Sequence, residues 1–357
     1  MNPIKPTSDL KTVFEANKSI TKFSKEPWTV IPIEDARKLH KMELKGIKLK
    51  ELQLSIYRGI LTGYNDAFFI DEETRQQLID SDPKSEELIK PMVRGRNIAA
   101  FGITGFEYLI STFSSLGLDI ENFPAIKEHL LSFGINRLAQ TGEKGARKKT
   151  HGKWFETQDN IGYYKEFEKP KIMYPNMTSK FPFMYDESGL MCNDKSFILT
   201  ANDESVSLPF LTAVLNSSLA KLWIWYKCPG LGNNRREIRK VYFEYFPVPP
   251  ANEEQTKQLA NYTKTRTQLT AELRKLSTKI QRSIQRKFEF EKLSTKLQNW
   301  YALDFAGFIK ELRKKKAKLT LSEETEWEDY FNEQKQKARE LQSQITQTDR
   351  EIDRMVY

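Results

Sequence analysis

From Leu54 to Asp71 the chain reads LSIYRGILTGYNDAFFID, with apolar and polar positions alternating on both sides of TGYND. A period of two marks strands with one buried face, and Gly and Asn between such runs favour a tight turn. The pattern therefore predicts two strands joined as a hairpin. KPKIMYPNM and SFILT predict further strands, and SLPFLTAVLNSSLAKLWIWYKC has the apolar spacing of one buried helix, ended by Pro229 and Gly230. Short strand-like and helix-like runs separated by Gly, Pro and Asn continue to about Pro250. That mixture is an α+β pattern.

After FPVPP the period changes. Leu259, Tyr262, Arg266, Leu269, Leu273, Leu276 and Ile280 are spaced 3, 4, 3, 4, 3, 4, with Arg266 the one polar member. Its stem can pack along the seam while its charge reaches water. A second seam runs through Ala338, Leu341, Ile345, Thr348, Ile352 and Met355. With a helical insert between them, the two predict a coiled-coil-like antiparallel hairpin that closes within one chain. Thr320 and Glu323 have capping-box spacing and mark the start of the second long helix. The last residues, EIDRMVY, lie inside an amphipathic pattern with no stop signal, so the chain reads as a fragment of something longer.

Composition narrows the partners. The chain has 357 residues, room for two domains of about 100–200 residues. Its net charge of +9 favours a polyanion, with nucleic acid ahead of an anionic membrane surface. The densest apolar run, LWIWY, is far shorter than the ~20 residues that span a bilayer. MNPIKPTSDL lacks the apolar core of a signal peptide. Cys192 and Cys228 cannot build a disulfide framework, and His40, His129 and His151 are too dispersed for a metal site. A reducing, cytoplasmic setting without a membrane or a metal in this chain is expected.

Catalytic patterns are weak. FGITGFE is the nearest approach to a glycine-rich nucleotide turn, but no acidic residue follows at the distance needed to hold a ribose. NFPA and YPNM both fail the Asn-Pro-Pro-aromatic pattern with which amino-methyltransferases hold a flipped base. Asp35, Glu43 and Lys45 give a nuclease-like set, of a kind that arises by chance in charged helices.

Five ordered blocks, IYRGILTGYNDAFFID, ELIKPMVRGRNI, KWFETQDNIGYYKEFEKPKIMYPNM, FLTAVLNSSLAKLWI and TDREIDRMVY, resemble the TaqI-like specificity region that follows the methyltransferase domain of type IIG restriction-modification enzymes. The resemblance implies an α+β target-recognition domain over residues 30–250. Residues 1–30 would be a linker from a missing methyltransferase domain, and 251–357 a helical extension. It implies double-stranded DNA as partner. It further implies a parent enzyme that methylates adenine N6 with S-adenosylmethionine and cuts with magnesium through domains absent here, and no cofactor in this chain.

The residues themselves offer contacts for such a role. RGILTGYN carries Arg58, Thr62, Tyr64 and Asn65 around two glycines, able to donate to phosphate or to a base edge, unless it is a plain hairpin turn. In VRGRNI, Arg94 and Arg96 flank Gly95, either to grip a phosphate or to form an internal ion pair. TGEKGARKKTHGKWFETQD places Lys144, Arg147, Lys148, Lys149 and Lys153 among three glycines, predicting a loop that is mobile until DNA orders it, with Trp154 expected in the core. Asn233, Arg235 and Arg236 in GLGNNRREIRK complete the candidate set, against the alternative of a solvated basic helix end. The KELRKKKAK run reads as a solvated helical face. Two rival functions stand: a coiled-coil interaction subunit whose charge is incidental, and a small metal-dependent nuclease using Asp35, Glu43 and Lys45.

Overall fold

The computed structural model describes residues 19–20 and 31–356; of the linker expected over residues 1–30, all but Ser19 and Ile20 lies outside them. The chain divides into two compact units, one built on residues up to Ala260 and one on Asn261–Met355.

In the first unit, helix α1 (Ile33–Lys45) precedes strands β1 (Leu54–Arg58), β2 (Phe69–Ile70), β3 (Ile89–Val93) and β4 (Glu107–Ile110). Helix α2 (Pro124–Leu131) follows, then β5 (Lys171–Pro175), β6 (Met184–Asp186), β7 (Met191–Cys192) and β8 (Ser196–Ala201). Helices α3 (Leu208–Asn216) and α4 (Ser218–Lys227) come next. One sheet has the order β6-β5-β8-β1, antiparallel throughout; the other is β7-β3-β4-β2, in which only β7 and β3 run parallel.

Two expectations fail here for identifiable reasons. The predicted hairpin does not form, because β1 pairs with β8 in one sheet and β2 with β4 in the other. Leaving β1, the chain bridges Ile60 to Asn193 and then makes a short helix at Asn65–Phe68, so TGYND leads from one sheet to the other. The long buried helix is two helices. Ser217 stands extended between them, its hydroxyl accepting from Ala220 N–H, while the Asn216 side chain bonds both backbone groups of Phe183. A Ser that caps outcompetes the same Ser as a poor helix interior residue.

β5 is buried along its whole length, as suits a strand with neighbours on both edges. Its Lys171 is fully buried, donating to the Phe167 carbonyl and to Asp186 at 2.6 Å each. The Asp186 carboxylate also accepts from Ser188 and from Leu190 N–H, so the pair is well satisfied.

The sheets meet at Asn193–Lys195, where the chain passes from β7 into β8. Two glycines permit this corner. A Cβ on Gly59 would lie 2.1 Å from the Asn193 carbonyl oxygen, and one on Gly95 2.8 Å from that of Lys195. The Gly95 N–H donates to Asn193 Oδ1, and Asn193 N–H to the Val93 carbonyl. The glycines of RGIL and VRGRNI therefore admit the protein's own backbone.

The second unit contains most of α5 (Glu253–Phe288), then α6 (Phe305–Lys314) and α7 (Leu321–Val356). Arg266 pairs with Asp349 at 2.8 Å and Lys287 with Glu323 at 2.7 Å, so α5 and α7 run antiparallel as one hairpin. The polar member of the seam thus pairs across the hairpin instead of reaching for water. Leu269, Ile280 and Ile284 on α5, and Ala338, Thr348 and Ile352 on α7, are buried. Phe308 of the insert stacks on Phe331 at 4.8 Å beside buried Trp300. The predicted capping box is present: Thr320 N–H donates to Glu323, and Glu323 N–H to the Thr320 hydroxyl. Lys287, then Thr320, hold the Glu323 carboxyl down at about 2.

Candidate nucleic-acid interface

At the end of β1, Arg58 meets the corner between the sheets. Its Nε donates to the Asp194 carbonyl and its Nη2 to the Asp194 carboxylate, each at 3.2 Å, and Lys195 Nζ lies 3.0 Å from the same carboxylate. The Asp194 side chain is 8% exposed, while those of Arg58 and Lys195 are 48% and 61% exposed. One buried acid thus orients two cations that still face water. Asp159 belongs to the same neighbourhood. Burial pushes its carboxyl up, Arg58 and Lys148 oppose this, and Asp194 reinforces it. Tyr163 completes the group: its hydroxyl donates to the Arg58 carbonyl, its ring stacks on Tyr57 at 4.9 Å, and burial pushes its phenol up to about 12.

The basic loop from Thr141 to Asp159 corrects the expectation placed on Arg147. That side chain is 2% exposed, with Nε donating to the Leu138 carbonyl, Nη1 to Thr62 and Nη2 to Trp154, each at 2.7 Å. Its guanidinium lies over the Phe68 ring, and burial lowers its pKa to about 10, with nearby Arg137 adding to the effect and Glu156 opposing it. A planar fork of donors suits three converging carbonyls, which a DNA contact would leave unsatisfied. The loop is also tied to its own frame by side chains. Gln140 donates to the Lys153 and Glu156 carbonyls, and Gln158 to the Lys148 carbonyl. Lys144, Lys148, Lys149 and Lys153 project from this frame and are exposed, and Trp154 packs half-buried against the core as expected.

Thr62 is also corrected. It is fully buried, and its hydroxyl donates to Asn65 Oδ1 at 2.8 Å, so it shapes the turn from inside. Tyr64 is half-buried with the Arg137 guanidinium 4.1 Å over its ring. Arg94 takes its alternative reading: it forks onto Glu107 at 2.9 and 2.7 Å. Arg96, one residue past buried Gly95, is exposed. Arg236 is half-buried, its Nε donating to the Trp225 carbonyl and its guanidinium 3.8 Å over the Trp225 ring. Arg235 and Asn233 are exposed on the turn before it, where Asn233 and Asn234 both have positive φ.

The structure therefore joins the RGILTGYN block to the basic loop through Arg147 and Thr62. It ties VRGRNI to the same corner through Asn193, and leaves Arg58, Lys148 and Lys195 around two carboxylates. Such a surface can neutralise phosphates with its cations, and carboxylates can accept from the exocyclic amino group of a base. The nuclease set is not gathered: Asp35 accepts from the Tyr226 hydroxyl and Glu43 pairs with Lys227. Among the described residues no three His, Cys, Asp or Glu side chains cluster as metal ligands, and no helix is long and apolar enough to cross a membrane.

Residues 90–248 match the TaqI-like C-terminal specificity domain family. This segment is a TaqI-like specificity domain. Residues 252–356 match a second family, described as a domain of unknown function (DUF8810). No curated protein matches the chain. Among solved structures it is similar to the type IIL restriction-modification enzyme MmeI, determined in complex with DNA, at 14% identity and a TM-score of 0.42, covering 64% of this chain and 29% of that one. It is also similar to the type IIG restriction endonuclease BpuSI, at 13% identity and a TM-score of 0.43, covering 67% of this chain and 30% of that one. The chain spans less than a third of either structure.

The specificity domain takes two strands from outside the matched segment, since β1 pairs with β8 in one sheet and β2 with β4 in the other. Sequence reading missed Lys195, Asp194 and Asp159 at this surface. The one available signal was NDK between two apolar runs, a turn whose acid and base stand side by side. Arg137 was missed as well; it donates to the Gly145 carbonyl and covers Tyr64, which nothing local to INRL announces.

Proposed function

We propose that this chain selects the DNA sequence on which a restriction-modification enzyme of the type IIG class acts. The match of residues 90–248 to the TaqI-like specificity domain family carries the proposal. The surface chemistry supports it: Arg58 and Lys195 are cations held on Asp194, Lys148 is an exposed cation near Asp159, and Asp159 and Asp194 are acceptors between them. Fixed cations supply affinity for phosphate, and acceptors of defined direction supply discrimination between bases. Methylation of adenine by S-adenosylmethionine and magnesium-dependent cleavage would belong to other domains of the parent enzyme.

Selection of bound duplexes from a randomised pool tests this reading. Enrichment of one short sequence is expected, and its loss on substituting Asp159 or Asp194 would place readout at this surface. Salt-sensitive binding with no enriched sequence would sink the proposal.

A further inference from the structure

The second unit carries a charge pattern that the recognition of a target by the first does not use. From Leu273 to Phe288, α5 bears Arg274, Lys275, Lys279, Arg282, Arg286 and Lys287 and no acidic residue. Lys287 is engaged with Glu323. Lys275, Lys279, Arg282 and Arg286 are exposed, and no ion-pair contact with a described residue engages them, although the charge of Lys279 helps to hold the Glu333 carboxyl down. All four lie along a shallow open groove of about 890 Å³ lined by α5 alone, together with Ala271, Arg274, Thr278 and Gln285. The neighbouring grooves of the unit differ, because Glu324 and Glu328 line one and Glu289 and Glu291 another.

Helical geometry sets these cations apart from the seam. At about 100° per residue, Lys275, Lys279, Arg282 and Arg286 fall within about 60° of one another, on a face of α5 centred roughly 125° from that of Leu269, Leu276, Ile280 and Ile284. Spaced 4, 3 and 4 residues apart, they form a row about 16 Å long, each roughly 5–6 Å from the next. A nucleic-acid strand presents a charge about every 3.4 Å along its axis, so the row spans four or five phosphates.

We infer that this face of α5 is a second, sequence-independent binding surface for the phosphate backbone of double-stranded DNA. A membrane surface fits less well, since Ala271, Thr278 and Gln285 provide nothing large and apolar to enter the acyl boundary. A protein partner would want an aromatic or aliphatic anchor, which the groove also lacks. A repeating anion needs neither.

The test uses the full chain carrying Lys275→Gln, Lys279→Gln, Arg282→Gln and Arg286→Gln, all helix-compatible changes at exposed positions. A control removes the same charge from the same unit with Lys292→Gln, Lys310→Gln, Lys316→Gln and Lys318→Gln, and a third variant carries Lys148→Gln with Lys195→Gln in the first unit. Binding to mixed-sequence duplexes is measured across a salt series, with circular dichroism confirming the fold. The groove variant is expected to bind more than tenfold more weakly at ~0.1 M salt, alike for every sequence, with a salt slope shallower by about 3–4, while the control keeps most of the wild-type slope. Equal losses in the groove variant and the control overturn the inference, because net charge then explains both. An unchanged groove variant beside a weakened Lys148 and Lys195 variant overturns it and leaves the proposed function standing. Absence of duplex binding by the wild type overturns both. Loss of binding to phosphatidylserine vesicles without loss of duplex binding overturns it in favour of a lipid surface.

Discussion

Arg147 Nη1 donates to the carbonyl of Thr62 at 2.7 Å, so the most basic loop of the first unit is fastened to the turn after β1 by one of its own cations. Removing that side chain leaves three carbonyls without their donor. Arg147→Ala is expected to cost about 2–5 kcal/mol in urea unfolding, and Arg147→Lys to recover less than half, since one ammonium cannot meet three acceptors set around a planar fork. A variant as stable as the wild type but weaker on DNA would return Arg147 to the surface role that its neighbours have.

Those neighbours should behave in the opposite way. Lys148, Lys149 and Lys195 are exposed, and their triple replacement by Gln is expected to leave the melting temperature within a few degrees while making the salt slope of DNA binding shallower by about 2–3. A salt titration on one duplex is sufficient. An unchanged slope would show that phosphates are met elsewhere.

The corner between the sheets makes an asymmetric prediction about two glycines. A methyl group on Gly59 would lie 2.1 Å from the Asn193 carbonyl oxygen and 2.6 Å from its carbon, both backbone atoms. Gly59→Ala is therefore expected to cost roughly 3 kcal/mol or more. On Gly95 the nearest atoms are 2.8 Å away and one is the Ser196 hydroxyl, which can turn, so Gly95→Ala should cost less, about 1–3 kcal/mol. Thermal unfolding of the pair checks the order; the reverse order would mean that the corner yields more easily at Asn193.

His129 provides a pH dependence. Its Nε2 lies 3.1 Å from the Ala67 carbonyl and its ring packs edge-on against Phe133. Burial holds its pKa below the ordinary 6.5, with the Ala67 bond opposing the shift. The folded value lies below the unfolded one, so the unfolded chain binds more protons in the window beneath 6.5. Stability from this group is present above that value and is lost as pH falls through the window. Melting curves of the wild type and His129→Gln, taken from neutral to mildly acidic pH, should converge as the pH drops. Parallel curves would remove His129 as the cause.

What the sequence made legible was whatever depends on near neighbours. Heptad spacing announced the hairpin of α5 and α7, and Thr320 and Glu323 announced its capping box, since both signals lie within a turn or two of helix. KPKIMYPNM and SFILT declared β5 and β8 through their own apolar runs. The partner of β1 was not legible. Alternation around TGYND fits a hairpin as well as it fits two strands in different sheets, and only Gly59 against Asn193 decides between them. Basic residues misled for the same reason. Arg147 and Lys148 are adjacent and alike in charge, yet three carbonyls, one of them 85 residues away at Thr62, engage the first and leave the second in water.

Because β1 pairs with β8, the order of synthesis constrains how the first unit assembles. Arg58 and Asp194 stand 136 residues apart, so at ribosomal rates β1 emerges on the order of ten seconds before its partner exists. Meanwhile β3 and β4 can already pair with each other across a short connection and β4 with β2. The second sheet can thus begin during translation, whereas β1 cannot join the first until Ser196–Ala201 has left the ribosome. A chain cut short before the corner at Asn193 would be released with LSIYR unpaired, which makes such truncations prone to aggregate.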